Sequence, residues 1–142
     1  MGFYQESFDN TKTGSEGLKM KIFLILGSLN AFLAVALGAF GAHGLEGKLS
    51  ERMLDVYKTG VQYHMIHAIG LILIALLSNH LSQTSFIGWA GWLMFLGIVL
   101  FSGSLYVLSM TGIGVFGAIT PLGGVSFLAA WLLVMIAAWK VL

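Results

Sequence analysis

Long apolar runs separated by short polar segments make up the chain from Ile22 onward. A bilayer core about 30 Å thick is crossed by roughly 20 helical residues, and four of the runs approach that length. They predict membrane-spanning helices at about 22–42, 61–77, 86–108 and 121–139. We therefore predict an all-α integral membrane protein built as a four-helix bundle.

The polar segment before the second run has helical periodicity of its own. Between Ser50 and Lys58, apolar side chains fall on one side of a helix and most charged side chains fall on the other. This pattern predicts a short amphipathic helix between helices 1 and 2 that lies at the membrane interface.

The first 19 residues differ from the rest of the chain. Residues 1–18 are polar and lack apolar periodicity, so we expect residues 1–19 to be a disordered extension or a remnant of cloning, followed by a membrane domain over 20–142. A secretory signal ending at Ala34-Val35-Ala36 is the alternative interpretation of the first run. Small residues at four-residue spacing, Ala34, Gly38 and Ala42, favour a retained helix that packs closely on another.

Pro121 has two interpretations, a kink inside a longer fourth helix or the first residue of that helix with Thr120 as its cap. We favour the helix start, because residues 111–119 contain three glycines and suit an apolar loop.

Composition supports lipid as the surrounding medium. Hydrophobic residues make up 58% of the 142 residues and charged residues only 9%, against about 25% charged in soluble domains. The run from Thr59 to Trp139 contains no Asp, Glu, Lys or Arg, which disfavours a proton-coupled transporter with a membrane carboxylate. A net charge of +1 without a basic cluster excludes a nucleic-acid partner. With no cysteine, the chain has no disulfide or thiolate site.

The basic residues do not decide the orientation in the membrane. Four spans put both termini on the side of the loop at 78–85, but lysine and arginine are similarly frequent on the two sides. Insertion in both orientations is compatible with this balance.

A few polar residues lie at the helix ends that share one membrane face. Antiparallel threading places there the candidate ligand or polar cluster His43, His64, His67 and Tyr106. Imidazoles bind haem iron and other metals, but the favoured interpretation is hydrogen bonding between helices, as for Asn30. We assign no catalytic residue, metal site or cofactor. Helix packing is instead expected at Gly38, Gly41, Gly44, Pro121, Gly123 and Gly124.

Four motifs in order resemble a known family. They are Gly38-Ala39-Phe40-Gly41-Ala42-His43-Gly44, Tyr63-His64-Met65-Ile66-His67-Ala68, Leu100-Phe101-Ser102-Gly103-Ser104-Leu105-Tyr106 and Thr120-Pro121-Leu122-Gly123-Gly124. From Met20 onward the chain resembles domain of unknown function 423, whose members include proteins named transmembrane protein 256. The resemblance implies a compact bundle of four membrane helices and no established activity.

These observations lead to an expected role. We expect a multi-pass protein of the cell membrane that is not an enzyme and serves as a scaffold or accessory subunit through helix packing. Its partners would be the lipid bilayer and either a second copy of itself or another membrane protein. The alternative is a small protein that binds haem, a metal or a quinone at the histidine cluster.

Overall fold

The computed structural model describes the backbone of residues 2–142 and the side chains from Gly14 onward. Over that range the chain forms four helices, and each has a segment long and apolar enough to span a membrane. The helices are α1 (Gly2–Gly44), α2 (Glu51–Leu77), α3 (Phe86–Thr111) and α4 (Val115–Val141). The prediction of an all-helical membrane fold with four spans is confirmed.

The predicted disordered extension at 1–19 lies largely outside the described side chains, which begin at Gly14. The backbone of 14–19 is helical and continues without a break into the first span. Extending an existing helix adds a hydrogen bond per residue without the cost of nucleation, which explains how a polar segment continues the helix.

The structure does not contain the separate interfacial helix predicted between the first two spans. Its residues form the first two turns of α2, which begins after Ser50, whose hydroxyl oxygen accepts a hydrogen bond of 3.3 Å from the backbone N–H of Met53. The amphipathic pattern correctly predicted a helix at these residues. Because no helix breaker follows them, that helix continues into the second span. Gly60 lies within α2, where its missing side chain leaves room for the ring of Tyr106.

The predicted start of α4 at Pro121 is also wrong. Pro121 lies inside a helix that begins at Val115, and the loop predicted at 111–119 is reduced to Gly112–Gly114. Gly112 ends α3 with a φ of 70° and donates its N–H to the carbonyl of Leu108 at 2.8 Å. A helix satisfies backbone groups that a loop at membrane depth would leave unpaired, so lipid favours helix even in a glycine-rich sequence.

A π-turn at Ile98–Ser102 interrupts α3. The N–H of Gly103 bonds to the carbonyl of Ile98, five residues earlier, so the turn holds one extra residue. That residue rotates the rest of α3, including Tyr106, by about 100° relative to an uninterrupted helix. The turn therefore sets which side chains of α3 face α2.

The helices pack as an antiparallel row in which α2 and α3 are central. α1 packs mainly along α2 and α4 mainly along α3, and across the described residues α1 and α4 have negligible contact. The apolar core occupies the half nearer the loop at 78–85, where Phe23 inserts against Gly91, and Met94 packs against Gly70. The other half contains polar side chains, among them His64, Tyr106 and Asn30.

Candidate functional site: an interhelical polar network

His64 joins three helices through its imidazole ring. The side chain is 4% exposed and projects from α2 between α1 and α3. Its Nδ1 lies 3.1 Å from the hydroxyl of Tyr106 on α3, and its Nε2 lies 3.0 Å from Oδ1 of Asn30 on α1. Both ring nitrogens therefore have partners from other helices.

The direction of each hydrogen bond follows from the Asn30 amide. Its Nδ2 donates to the carbonyl of Leu26 at 2.8 Å, which turns Oδ1 toward His64. An amide oxygen can only accept, so Nε2 of His64 carries a hydrogen and donates it. In a neutral ring, Nδ1 then accepts from the Tyr106 hydroxyl. The network is a directed chain from Tyr106 through His64 and Asn30 to the backbone of α1.

Tyr57 adds a second polar link between α1 and α2. Its hydroxyl donates to the carbonyl of Leu37 at 2.7 Å, and its ring lies 5.1 Å from that of Tyr106. Gly41 makes room for this ring, because a Cβ there would lie 2.5 Å from a Tyr57 ring carbon. The sequence alone assigned no role to Tyr57.

His67 faces a different neighbour. It is 5% exposed, its Nδ1 donates to the carbonyl of Tyr63 at 2.7 Å, and its ring stacks on Phe127 of α4 with centroids 3.4 Å apart. Among the described residues its Nε2 has no hydrogen-bond partner. Although His67 lies one helical turn from His64, it does not join the Tyr106–His64–Asn30 chain.

His43 is exposed, and its side chain takes no part in the hydrogen bonds of the network. Of the four side chains expected at this face, the structure thus brings only His64 and Tyr106 into direct contact. Within the described part of the chain, no three His, Asp or Glu side chains are grouped so that they could hold a metal ion. The contacts of His64 with Tyr106 and Asn30 are hydrogen bonds between helices.

Two further hydroxyl contacts link α3 to α4, and sequence reasoning missed both. Ser104 and Thr120 lie 2.7 Å apart, and Ser126 donates to the carbonyl of Leu93 at 2.7 Å. Serine and threonine in the apolar part of a membrane helix were the available signal, since such hydroxyls commonly bond to a neighbouring helix.

The glycines expected to mediate packing have different neighbours. A Cβ on Gly38 would approach Val61 of α2 to 3.2 Å, and a Cβ on Gly123 would collide with the backbone of Phe101 on α3. Gly124 has ordinary contact distance to the Phe101 ring, and Gly44 faces Phe40 of its own helix. Gly38, Gly41 and Gly123 are therefore the predicted positions at which two helices approach most closely.

Comparison with known proteins agrees with the membrane architecture. The family described as "Protein of unknown function (DUF423)" matches residues 37–124. The UPF0382 membrane protein YwdK of Bacillus subtilis (strain 168) is 61% identical over 123 residues, covering 87% of this chain and 100% of YwdK. A UPF0382 membrane protein of Staphylococcus haemolyticus is 52% identical over 121 residues, covering 85% of this chain and 98% of that protein. No solved structure gives a significant match.

Proposed function

The chain belongs to the DUF423 family of membrane proteins, and on that premise we propose that it is a non-catalytic scaffold or accessory subunit of the cell membrane. It would act by presenting apolar helix surfaces to a membrane protein partner or to a second copy of itself. The observation that carries this proposal is the use of both His64 ring nitrogens in bonds between helices.

The polar groups inside the spans support a packing role. Tyr57, His64 and Asn30 each bond to another helix, so their polar atoms are used in holding α1, α2 and α3 together. The stretch from Thr59 to Trp139 also lacks Asp, Glu, Lys and Arg, the side chains that commonly pair with a charged substrate inside a membrane.

A small ligand site is the competing proposal, and one observation favours it. Because Nδ1 of His67 is held by a carbonyl, Nε2 presents a lone pair, the arrangement common in metal-bound imidazoles. A haem, metal or quinone site using His43, His64, His67 and Tyr106 would have to break the His64 hydrogen bonds and bring His43 inward.

Purification from native membranes in mild detergent separates the two proposals. A scaffold should give no Soret band and less than stoichiometric metal, and chemical crosslinking before extraction should recover a defined complex with a partner or second copy. His80→Ala is the matched control for His64→Ala, because His80 is exposed in the loop between α2 and α3. A Soret band or stoichiometric metal that His64→Ala abolishes and His80→Ala retains would overturn the scaffold proposal.

A further inference from the structure

The hydrogen bond between Tyr106 and His64 has a chemical use besides holding two helices together. Nδ1 of His64 lies 3.1 Å from the Tyr106 hydroxyl, within the range over which a base takes a proton directly. A phenol that loses an electron becomes a strong acid, so its oxidation is easier when a base receives the hydroxyl proton at once. Imidazole is well suited to that task. The pair therefore has the geometry of a tyrosine that can be oxidised by one electron.

Asn30 supports the imidazole when it receives that proton. Its Oδ1 accepts the hydrogen of Nε2 of His64 at 3.0 Å, and its Nδ2 donates to the carbonyl of Leu26 at 2.8 Å. An imidazole that gains a proton on Nδ1 keeps this acceptor, and hydrogen bonds from an ionised group are stronger than those from a neutral one. The proton can therefore move from Tyr106 to His64 within the existing contacts of the three helices.

Two other described tyrosines lack such a base. Tyr57 donates its hydroxyl to the backbone carbonyl of Leu37 at 2.7 Å, and a carbonyl accepts a hydrogen bond without taking the proton. The Tyr57 ring lies 5.1 Å from that of Tyr106, so an electron can pass between them over a short distance. Tyr63 is 39% exposed, and its ring packs on Phe101. Among the described residues, Tyr106 is the tyrosine whose hydroxyl lies on an imidazole nitrogen.

The lack of charge along the spans restricts the class of oxidant. No Asp or Glu lies within residues 22–45 or 59–139, so a lasting imidazolium on His64 would have no carboxylate from these spans beside it. Loss of a whole hydrogen atom leaves both side chains neutral, whereas loss of an electron alone leaves a buried positive charge. The matching oxidant is a neutral radical, dissolved in lipid, that takes up both an electron and a proton. Lipid peroxyl radicals have this chemistry.

We propose that Tyr106, with His64 as its proton acceptor, reduces lipid peroxyl radicals in the surrounding bilayer. An electron passes from Tyr106 to the peroxyl radical as the hydroxyl proton passes to Nδ1 of His64. The proton then leaves His64 and joins the hydroperoxide anion. In total, the O–H bond of Tyr106 breaks, the O–H bond of a lipid hydroperoxide forms, and a neutral tyrosyl radical remains. This activity goes beyond the proposed scaffold function and does not depend on it.

The test uses full-length protein in vesicles of dilinoleoyl phosphatidylcholine, in which a lipid-soluble azo initiator generates peroxyl radicals under air. Electron paramagnetic resonance of frozen samples detects tyrosyl radicals, and conjugated-diene absorption follows the formation of lipid hydroperoxide. We expect a tyrosyl signal and a delay in lipid peroxidation that lengthens with the amount of protein. Vesicles without protein should show neither.

Three variants locate the reacting residue. Tyr106→Phe should lose the tyrosyl signal and the delay, whereas Tyr63→Phe should retain both, although Tyr63 is the more exposed of the two tyrosines. His64→Gln keeps a side chain that accepts a hydrogen bond but is not a base, so it should also lose both. Thermal melts without initiator verify that each variant is folded.

Several results would overturn the proposal. They are a full signal and delay in Tyr106→Phe, an equal loss in Tyr63→Phe, an unchanged Tyr106 signal in His64→Gln, or neither signal nor delay in the unsubstituted protein. If His64→Gln does not fold, the Tyr106→Phe and Tyr63→Phe pair decides alone.

Discussion

His64 is the residue on which the polar half of the bundle depends most. It is buried, and its two hydrogen bonds connect α2 to Tyr106 and to Asn30. Such bonds between membrane helices contribute modestly, because the separated helices also find polar partners in the membrane. Removing the ring also leaves the Asn30 oxygen without its partner.

We expect His64→Ala to lower the free energy of unfolding by about 0.6 to 2 kcal/mol without any change in bound cofactor. Thermal melts in detergent, with and without added metal, measure this effect. Tyr106→Phe should cost less, since it removes only one of the two bonds. His80→Ala should melt as the unsubstituted protein does, and an equal loss in that variant would show that the effect is not specific to the network.

The depth of a residue in the membrane could be inferred from sequence, but the side of the helix on which it lies could not. Counting from the helix ends places His43, His64 and Tyr106 at the same face of the membrane, and the structure has His64 and Tyr106 in contact. The same count includes His43, which is exposed, because depth along a helix does not specify which side of it a residue occupies. The π-turn in α3 further changes direction for Tyr106, and no pattern in the sequence indicated it.

At the scale of helices, α4 approaches the π-turn of α3 closely at one glycine. Gly123 lies directly against the backbone of Phe101 within the π-turn, so an added methyl group would meet atoms that cannot move independently. Gly103 lies in α3, two residues after Phe101, and a methyl group added there would point into open space. Both glycines lie inside helices, but only Gly123 lies against a neighbouring helix.

We expect Gly123→Ala to destabilise the protein by about 1 to 3 kcal/mol through overpacking. Gly103→Ala is the matched control and should be neutral or slightly stabilising, because alanine is the better helix former. Thermal or denaturant unfolding in detergent micelles measures both. Equal stability of the two variants would contradict the close approach of α4 to the π-turn.

The helix bounds show which sequence rules apply in lipid. The four apolar runs correctly predicted four spans, because hydropathy over about 20 residues depends directly on bilayer thickness. Pro121 and the glycines before it were interpreted by preferences of soluble proteins, in which they often end helices. In the membrane, the need to pair backbone groups extends α4 back to Val115 despite them.

The molecule as a whole has an apolar exterior, and its interior contains both apolar and polar side chains. Large apolar side chains are exposed on every span, for example Phe32 at 69%, Leu73 at 47%, Val99 at 51% and Leu128 at 72%. In water such a surface would aggregate, whereas lipid chains cover it at no cost. Four spans then place both termini on one side of the membrane.

The absence of native cysteine allows this topology to be tested directly. We expect Lys48→Cys and Ile113→Cys to react with a membrane-impermeant maleimide from the same side, because both lie in loops joining the same ends of the helices. His80→Cys should react from the opposite side. Labelling of all three from one side would contradict four spans. If each of the three variants reacts partly from both sides, and Lys48→Cys and Ile113→Cys still do so in equal proportion, the protein inserts in two orientations.

The hydrogen-bond directions around the two buried histidines make them internal spectroscopic reporters. His64 holds its proton on Nε2 and His67 holds its proton on Nδ1, so one helix carries opposite imidazole tautomers three residues apart. Nitrogen-15 magnetic resonance distinguishes these forms by chemical shift. An event that separated α1 from α2 would release His64 from its assigned form and leave the His67 resonance as an unchanged internal reference.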